Sequence, residues 1–131
     1  GKEIRRFVGH EGGIWGSALF PDGKKVLSWS SDRTLRVWDI DDGRETARLE
    51  KHDGSVEGAV ILKSGAFILS WSEDATVRLW DMKTYKTLST FSAESPISFL
   101  ALSPNEKNIF VGEKSGRVHF LRLEYGRFAR T

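Results

Sequence analysis

Two copies of one pattern, 42 residues apart, constrain this chain more than anything else in it: Trp38-Asp39 recurs as Trp80-Asp81, and His10 recurs as His52. Between these landmarks the run LSWSSDRTLRVWD from Leu27 to Asp39 lies over LSWSEDATVRLWD from Leu69 to Asp81 without a gap. Units of this length bury their apolar faces against neighbouring copies, so the period predicts a stack of equivalent units rather than one closed core. A third, eroded copy follows. Ile97 to Leu123 aligns with Val56 to Met82 at a shift of 41, with Leu121 in place of Trp80, Ser115 in place of Asp74, and Ala93 or Glu94 in place of His52. Terminal copies in repeat proteins are commonly atypical because a neighbour is missing or different.

Inside each copy, short segments of alternating polarity are separated by turn residues, which predicts strands. Ile14 to Phe20 ends at Pro21-Asp22-Gly23, Lys25 to Ser30 at Ser31-Asp32, and Leu35 to Ile40 at Asp41-Asp42-Gly43. Pro presets the first turn angle, Gly supplies positive φ, and Asp bonds its own backbone. Arg44 to Lys51 makes a fourth strand, with Ala47 and Leu49 on one face and charged residues on the other. Helical spacing of apolar residues is not sustained anywhere over a helix's length.

The repeated His, Ser-containing strand, turn Asp and Trp-Asp ending resemble the WD40 repeat, in which each copy supplies one four-stranded propeller blade. The resemblance implies an all-β fold, a β-propeller of four-stranded blades with three per chain, at about 14–51, 56–91 and 97–131. Three blades do not close a ring. The expected partner is therefore the chain itself, as a cyclic homodimer with six blades or a homotrimer with nine, joined head to tail because first and last faces differ. At the start of the chain, Glu3 to His10 resembles the outer strand Glu45 to His52. Tyr125 to Thr131 resembles Tyr85 to Phe91, so two segments compete for the outer edge of the last blade. The expectation is that residues 2–8 serve as a leading outer strand for a neighbouring subunit's last blade, leaving Gly126 to Thr131 outside. The Pro-Asp-Gly-Lys turn at 21–24 and the ending at 118–123 look like bacterial WD40 regions, which are often C-terminal sensor or scaffold parts of larger signalling proteins.

His10, Ser28 and Asp32 are the residue types of a nucleophilic triad, but the set returns as His52, Ser70 and Asp74, each time with a Trp. A catalytic triad has no reason to appear once per blade. The family resemblance instead implies structural tetrads, His10, Ser28, Asp32 and Trp38, then His52, Ser70, Asp74 and Trp80; it also supplies the choice of Ser28 and Ser70 over Ser30 and Ser72. No catalytic residue and no enzyme activity are expected. Metal and cofactor binding are not expected either: the chain has no Cys and three His, and His119 stands alone in an apolar strand. Gly12-Gly13 does not continue into a phosphate-binding loop.

With 20 Lys+Arg against 18 Asp+Glu and no basic cluster, no nucleic-acid partner is expected. No apolar run reaches the roughly 18 residues of a membrane span, and the expected location is cytoplasmic. The functional expectation is a protein-protein interaction or scaffold module for an unidentified protein or peptide. The alternative is a C-terminal sensor or regulatory fragment of a larger signalling NTPase or kinase. Candidate contact residues are Trp15, Glu57 and Ser98, equivalent positions just inside each first strand and, by resemblance, near one mouth of the central channel. Trp29 and Trp71 stand where the family usually has Gly, serving either packing between blades or an aromatic contact surface.

Overall fold

The computed structural model describes residues 2–130. Its strands are β1 Ile14–Leu19, β2 Lys25–Ser30, β3 Leu35–Asp39, β4 Glu45–Leu49, β5 Val56–Ile61, β6 Phe67–Ser72, β7 Thr76–Asp81, β8 Lys86–Ser92, β9 Ile97–Leu102, β10 Asn108–Glu113, β11 Val118–Glu124 and β12 Arg127–Arg130. They form three antiparallel meanders, β1-β2-β3-β4, β5-β6-β7-β8 and β9-β10-β11-β12. The turns have local causes. Gly23 adopts φ 69° and donates its N–H to Phe20 O at 2.9 Å. In the next hairpin, Asp32 Oδ1 accepts the N–H of Thr34 at 2.9 Å and its hydroxyl at 2.6 Å, which holds Arg33 at φ 76°.

The sheets pack face to face, so the middle one is covered on both sides. One core joins Leu27, Leu35, Val37 and Leu49 of the first sheet to Val56, Ile68 and Trp80 of the second. The other joins Leu69, Val77, Leu79 and Phe91 to Ile97, Ile109, Val111 and Leu121 of the third. Ile68 and Leu69, adjacent in β6 and both fully buried, enter opposite cores because successive side chains point to opposite faces.

The two outermost faces stay open. On the third sheet, Phe110, Val118 and Phe120 are 44%, 62% and 39% exposed. They stand at the register of Leu69, Val77 and Leu79, which are buried where the second sheet meets the third. On the first sheet, Ile14 and Leu19 are 52% and 66% exposed. Their equivalents Val56 and Ile61 lie at the core between the first and second sheets.

Each sheet also carries an aromatic ring over a glycine. Trp29 is paired with Gly16 and Trp71 with Gly58, and a Cβ on either glycine would stand 2.3 Å and 2.1 Å from the indole. In the third sheet the pair is inverted: Phe99 on the first strand lies over Gly112 on the second. Covering a strand glycine with a cross-strand ring restores the packing that the missing side chain removes.

The chain ends depart from the expectation. Residues 2–8 form no strand. Phe7 instead lies against Trp38, ring centroids 5.8 Å apart, at the register that Leu49 holds beside Trp80. The outer place in the third sheet is filled from within the chain by β12, with Leu123 opposite Phe128 and Leu121 opposite Arg130. Gly126 to Arg130 is thus not left outside; Thr131 lies beyond the described residues. The physical reason is proximity. A turn through Tyr125 and Gly126, with φ 51° and 74°, closes this hairpin at small entropic cost, and Phe128 gains contact with the second core.

Candidate functional site

The relays are built by the hairpin that presents each turn Asp to the loop preceding the same sheet. His10 Nδ1 lies 2.8 Å from Asp32 Oδ2 and His10 Nε2 lies 2.6 Å from Ser28 Oγ, while Trp38 Nε1 donates to the same hydroxyl at 2.8 Å. In the second sheet the corresponding distances are 2.8 Å, 2.7 Å and 2.9 Å for His52, Asp74, Ser70 and Trp80. With Nδ1–H donating to the carboxylate, Nε2 accepts the serine O–H, and that oxygen accepts the indole N–H. Ser70 and His52 are 0% and 3% exposed, so the second set is enclosed in the packing and its hydroxyl is engaged at both ends. The carboxylates also hold the loop, accepting the N–H of Glu11 at 3.1 Å and of Asp53 at 2.9 Å.

The third sheet has a relay that the sequence reading missed. Glu113, 4% exposed, stands at the register of Ser72. Its Oε1 accepts the N–H groups of Glu94 at 3.2 Å and Ser95 at 2.9 Å, and the Ser95 hydroxyl at 2.9 Å. Its Oε2 pairs with His119 Nε2, whose ring meets Phe91 edge-on at 4.9 Å. His119 is therefore not the solitary strand histidine expected. One carboxylate does the work of the absent His and Asp, tying the preceding loop to the hairpin. The available signal was a Glu and a His on the same face of neighbouring strands, one diagonal step apart.

Burial pulls the Asp32 carboxyl upward, but hydrogen bonds from Thr34, His10 and backbone N–H groups outweigh it and hold the group well below the usual range. Asp74 is lowered in the same way, against burial, by His52 and Thr76. The His119 hydrogen bond, opposed by burial and helped by Ser95, takes Glu113 down to about 2. Because folded values lie below unfolded ones, the unfolded chain takes up protons first, so this stability is complete above about pH 5 and drains away below it. We expect the urea midpoint to fall from about pH 4 to about pH 2.5, and less steeply in Asp74→Asn. A midpoint that holds constant across that window contradicts these assignments.

Trp15, Glu57 and Ser98 turn out to be the extra residue of a β-bulge in their sheets. Pairing runs Ile14 to Ser30 and then Gly16 to Trp29; Val56 to Ser72 and then Gly58 to Trp71; Phe99 to Gly112 and then Ile97 to Glu113. A bulge leaves one residue outside the ladder and re-aims its side chain. Trp15 is 61% exposed, and its indole donates to Ser55 Oγ at 2.9 Å, bridging the first blade to the second. Burial, and then the neighbouring Glu73 carboxyl, push Glu57 up, while Lys114 lies 3.7 Å from Glu73. Trp29 and Trp71 are half-buried against the first and second cores.

Equivalent four-stranded meanders, stacked face to face and pinned by a His-Ser-Asp-Trp relay in the first two copies and by Glu113 in the third, define propeller blades. A family model described as "WD domain, G-beta repeat" matches residues 1–39, and one described as "TEP-1 C-terminal beta-propeller" matches residues 52–123, more than half of the chain. The chain belongs to the WD40-repeat β-propeller family. It is similar to the human serine-threonine kinase receptor-associated protein, 40% identical over 45 residues that make up 34% of this chain and 13% of that protein. Cell division control protein 4 of Saccharomyces cerevisiae is 43% identical over 42 residues, 32% of this chain and 5% of its own length. The crystal structure of the C-terminal WD40 domain of Sif2 superposes with a TM-score of 0.80 at 28% identity, over 89% of this chain and 33% of that one. The chain thus spans a small part of its relatives.

Proposed function

We propose that the chain is a non-catalytic protein-interaction or scaffold module in which three blades form one arc of a ring closed by a second copy. The observation that carries this reading is that the two ends of the arc hold the two halves of an inter-blade contact. Phe110, Val118 and Phe120 repeat the half that Leu69, Val77 and Leu79 supply to the blade after them. Ile14, Leu19, Val26 and Ile40 repeat the half supplied by Val56, Ile61, Ile68 and Met82 to the blade before. A head-to-tail contact between different patches closes into a ring when its rotation is a whole fraction of a turn. Two copies give six blades, inside the usual range of 4–8, and three give nine.

The partner surface in this reading comprises Trp15, Glu57 and Ser98, displayed by the three bulges at one end of the blades, an aromatic beside polar groups suited to a peptide. Trp29 and Trp71 contribute by stiffening the strands that carry the bulges. Its cysteine-free composition suits the reducing cytoplasm. A second reading draws on the 33% coverage of the solved WD40 domain: the chain is a C-terminal sensor or regulatory part of a larger signalling NTPase or kinase, and other blades of the same polypeptide cover these faces.

Light scattering coupled to gel filtration separates the readings. Self-closure predicts two or three times the 14.8 kDa protomer mass, whereas a folded 14.8 kDa monomer favours the second reading and overturns ring closure by copies.

A further inference from the structure

Arg36 and Arg78 hold the same register on the third strands of the first two blades, but their surroundings differ by one carboxylate. Arg36, 3% exposed, donates from Nη1 to Glu45 Oε1 at 2.9 Å, from Nη2 to Asp32 Oδ2 at 3.4 Å and from Nε to Thr34 Oγ1 at 3.2 Å. In the second blade the place of Glu45 is taken by Thr87: Trp38 pairs with Glu45 across the first sheet as Trp80 pairs with Thr87 across the second. Among the described residues, the buried side-chain atoms left without a hydrogen-bond partner are Arg78 Nε and Thr87 Oγ1. Leaving buried groups of this kind unpaired costs stability, and such atoms in a folded protein call for a partner.

Of these two residues, Thr87 lines a cleft, and Arg78 stands on the strand that supplies its Trp80 wall. Between the outer edges of the first and second blades, Arg48, Lys51, Trp80, Lys86 and Thr87 line a depression in which Glu50 is the acid. Arg78 precedes Trp80 by two residues in β7 and shares its face. Lys51 stands at the register of Gly9, where a Cβ would lie 2.9 Å from Arg36 Nη1 and 3.2 Å from Glu45 Oε1. The second blade therefore roots a lysine side chain beside the position that Glu45 occupies in the first. Arg48 is paired with Glu45 at 3.0 Å, which leaves Lys51 and Lys86 against Glu50, a cation excess that contrasts with the near-balanced charge of the whole chain.

We propose that this cleft binds the carboxylate of an acidic peptide segment, a Glu or Asp side chain entering where Glu45 stands in the first blade. Arg78 supplies the charge-assisted donor, Thr87 the hydroxyl donor, and Lys51 and Lys86 draw the acid to the rim. The site is complete within one chain and does not depend on ring closure or on the bulge residues.

The test follows the arginine Nε–H resonances of the 131-residue chain during titration with a blocked hexaglutamate peptide, the Arg78 signal being assigned by its loss in Arg78→Lys. The Arg78 signal is expected to shift and saturate. Thr87→Glu, which restores the first blade's internal carboxylate, is expected to keep the fold, raise the urea midpoint and weaken the peptide by about tenfold or more. An Arg78 signal that does not move, or equal affinity in Thr87→Glu, overturns the proposal. A response to inorganic phosphate without one to hexaglutamate overturns the carboxylate assignment, and an equal response to blocked hexaglutamine overturns the charge-assisted contact.

Discussion

Trp80→Ala is expected to lower stability by about 3–5 kcal/mol, a large share of the 5–15 kcal/mol of an ordinary domain. Trp80 is 1% exposed and belongs to the core between the first and second blades. Truncation opens a cavity that two sheets cannot collapse into without moving against each other, and leaves Ser70 Oγ without the indole donor at 2.9 Å. Trp38→Ala, at the equivalent position, should cost less. Its indole also donates to a relay serine, but beyond its ring lies the segment carrying Phe7 rather than a complete sheet. Urea unfolding of the two variants reads the difference. Equal losses would mean that the relay alone, and not the neighbouring blade, sets the value of this tryptophan.

Phe120→Asp carries the second large effect, on assembly rather than folding. Phe120 stacks on Phe110 with centroids 4.8 Å apart and planes 8° from parallel, and its ring is 39% exposed on the open face of the third blade. A carboxylate there meets water in the isolated chain and meets apolar surface in a closed ring. Burying an unpaired charge costs several kcal/mol, so dissociation should strengthen on the order of a hundredfold or more. The scattering mass should drop to 14.8 kDa with the urea midpoint little changed. A variant that keeps the assembled mass shows that this face is not the contact.

What the sequence revealed and what it hid follow from the range over which each feature is decided. Strand boundaries were legible because Pro21-Asp22-Gly23 and the turn Asp32 act on their own neighbours, and the observed β1 to β4 begin and end within a residue or two of those signals. The first two relays were legible because they repeat. Glu113 and His119 were not, since the third copy solves the same loop-tethering problem with different residues at different registers, and no repeat signal survives such an exchange. The glycine partners of Trp29 and Trp71 became evident only with the register, which pairs residues on separate strands. The bulges were likewise hidden: an extra residue in one strand is defined by the strand opposite. The competition between chain ends was visible in the sequence, but its outcome turned on the local hairpin at Tyr125 and Gly126, whose closure a comparison of two similar segments does not weigh.

In the proposed ring the open face of the third blade packs on the open face of the first blade of another copy. An isotope-filtered NOE experiment on an equal mixture of labelled and unlabelled chains reads that contact. Within one chain the second blade stands between these faces, so any NOE from Phe110 or Phe120 ring protons to Ile14 or Val26 methyls crosses between copies. A closed ring gives those cross-peaks. Their absence in an assembled sample, or intermolecular contacts confined to Phe120 with Phe120, would contradict head-to-tail closure.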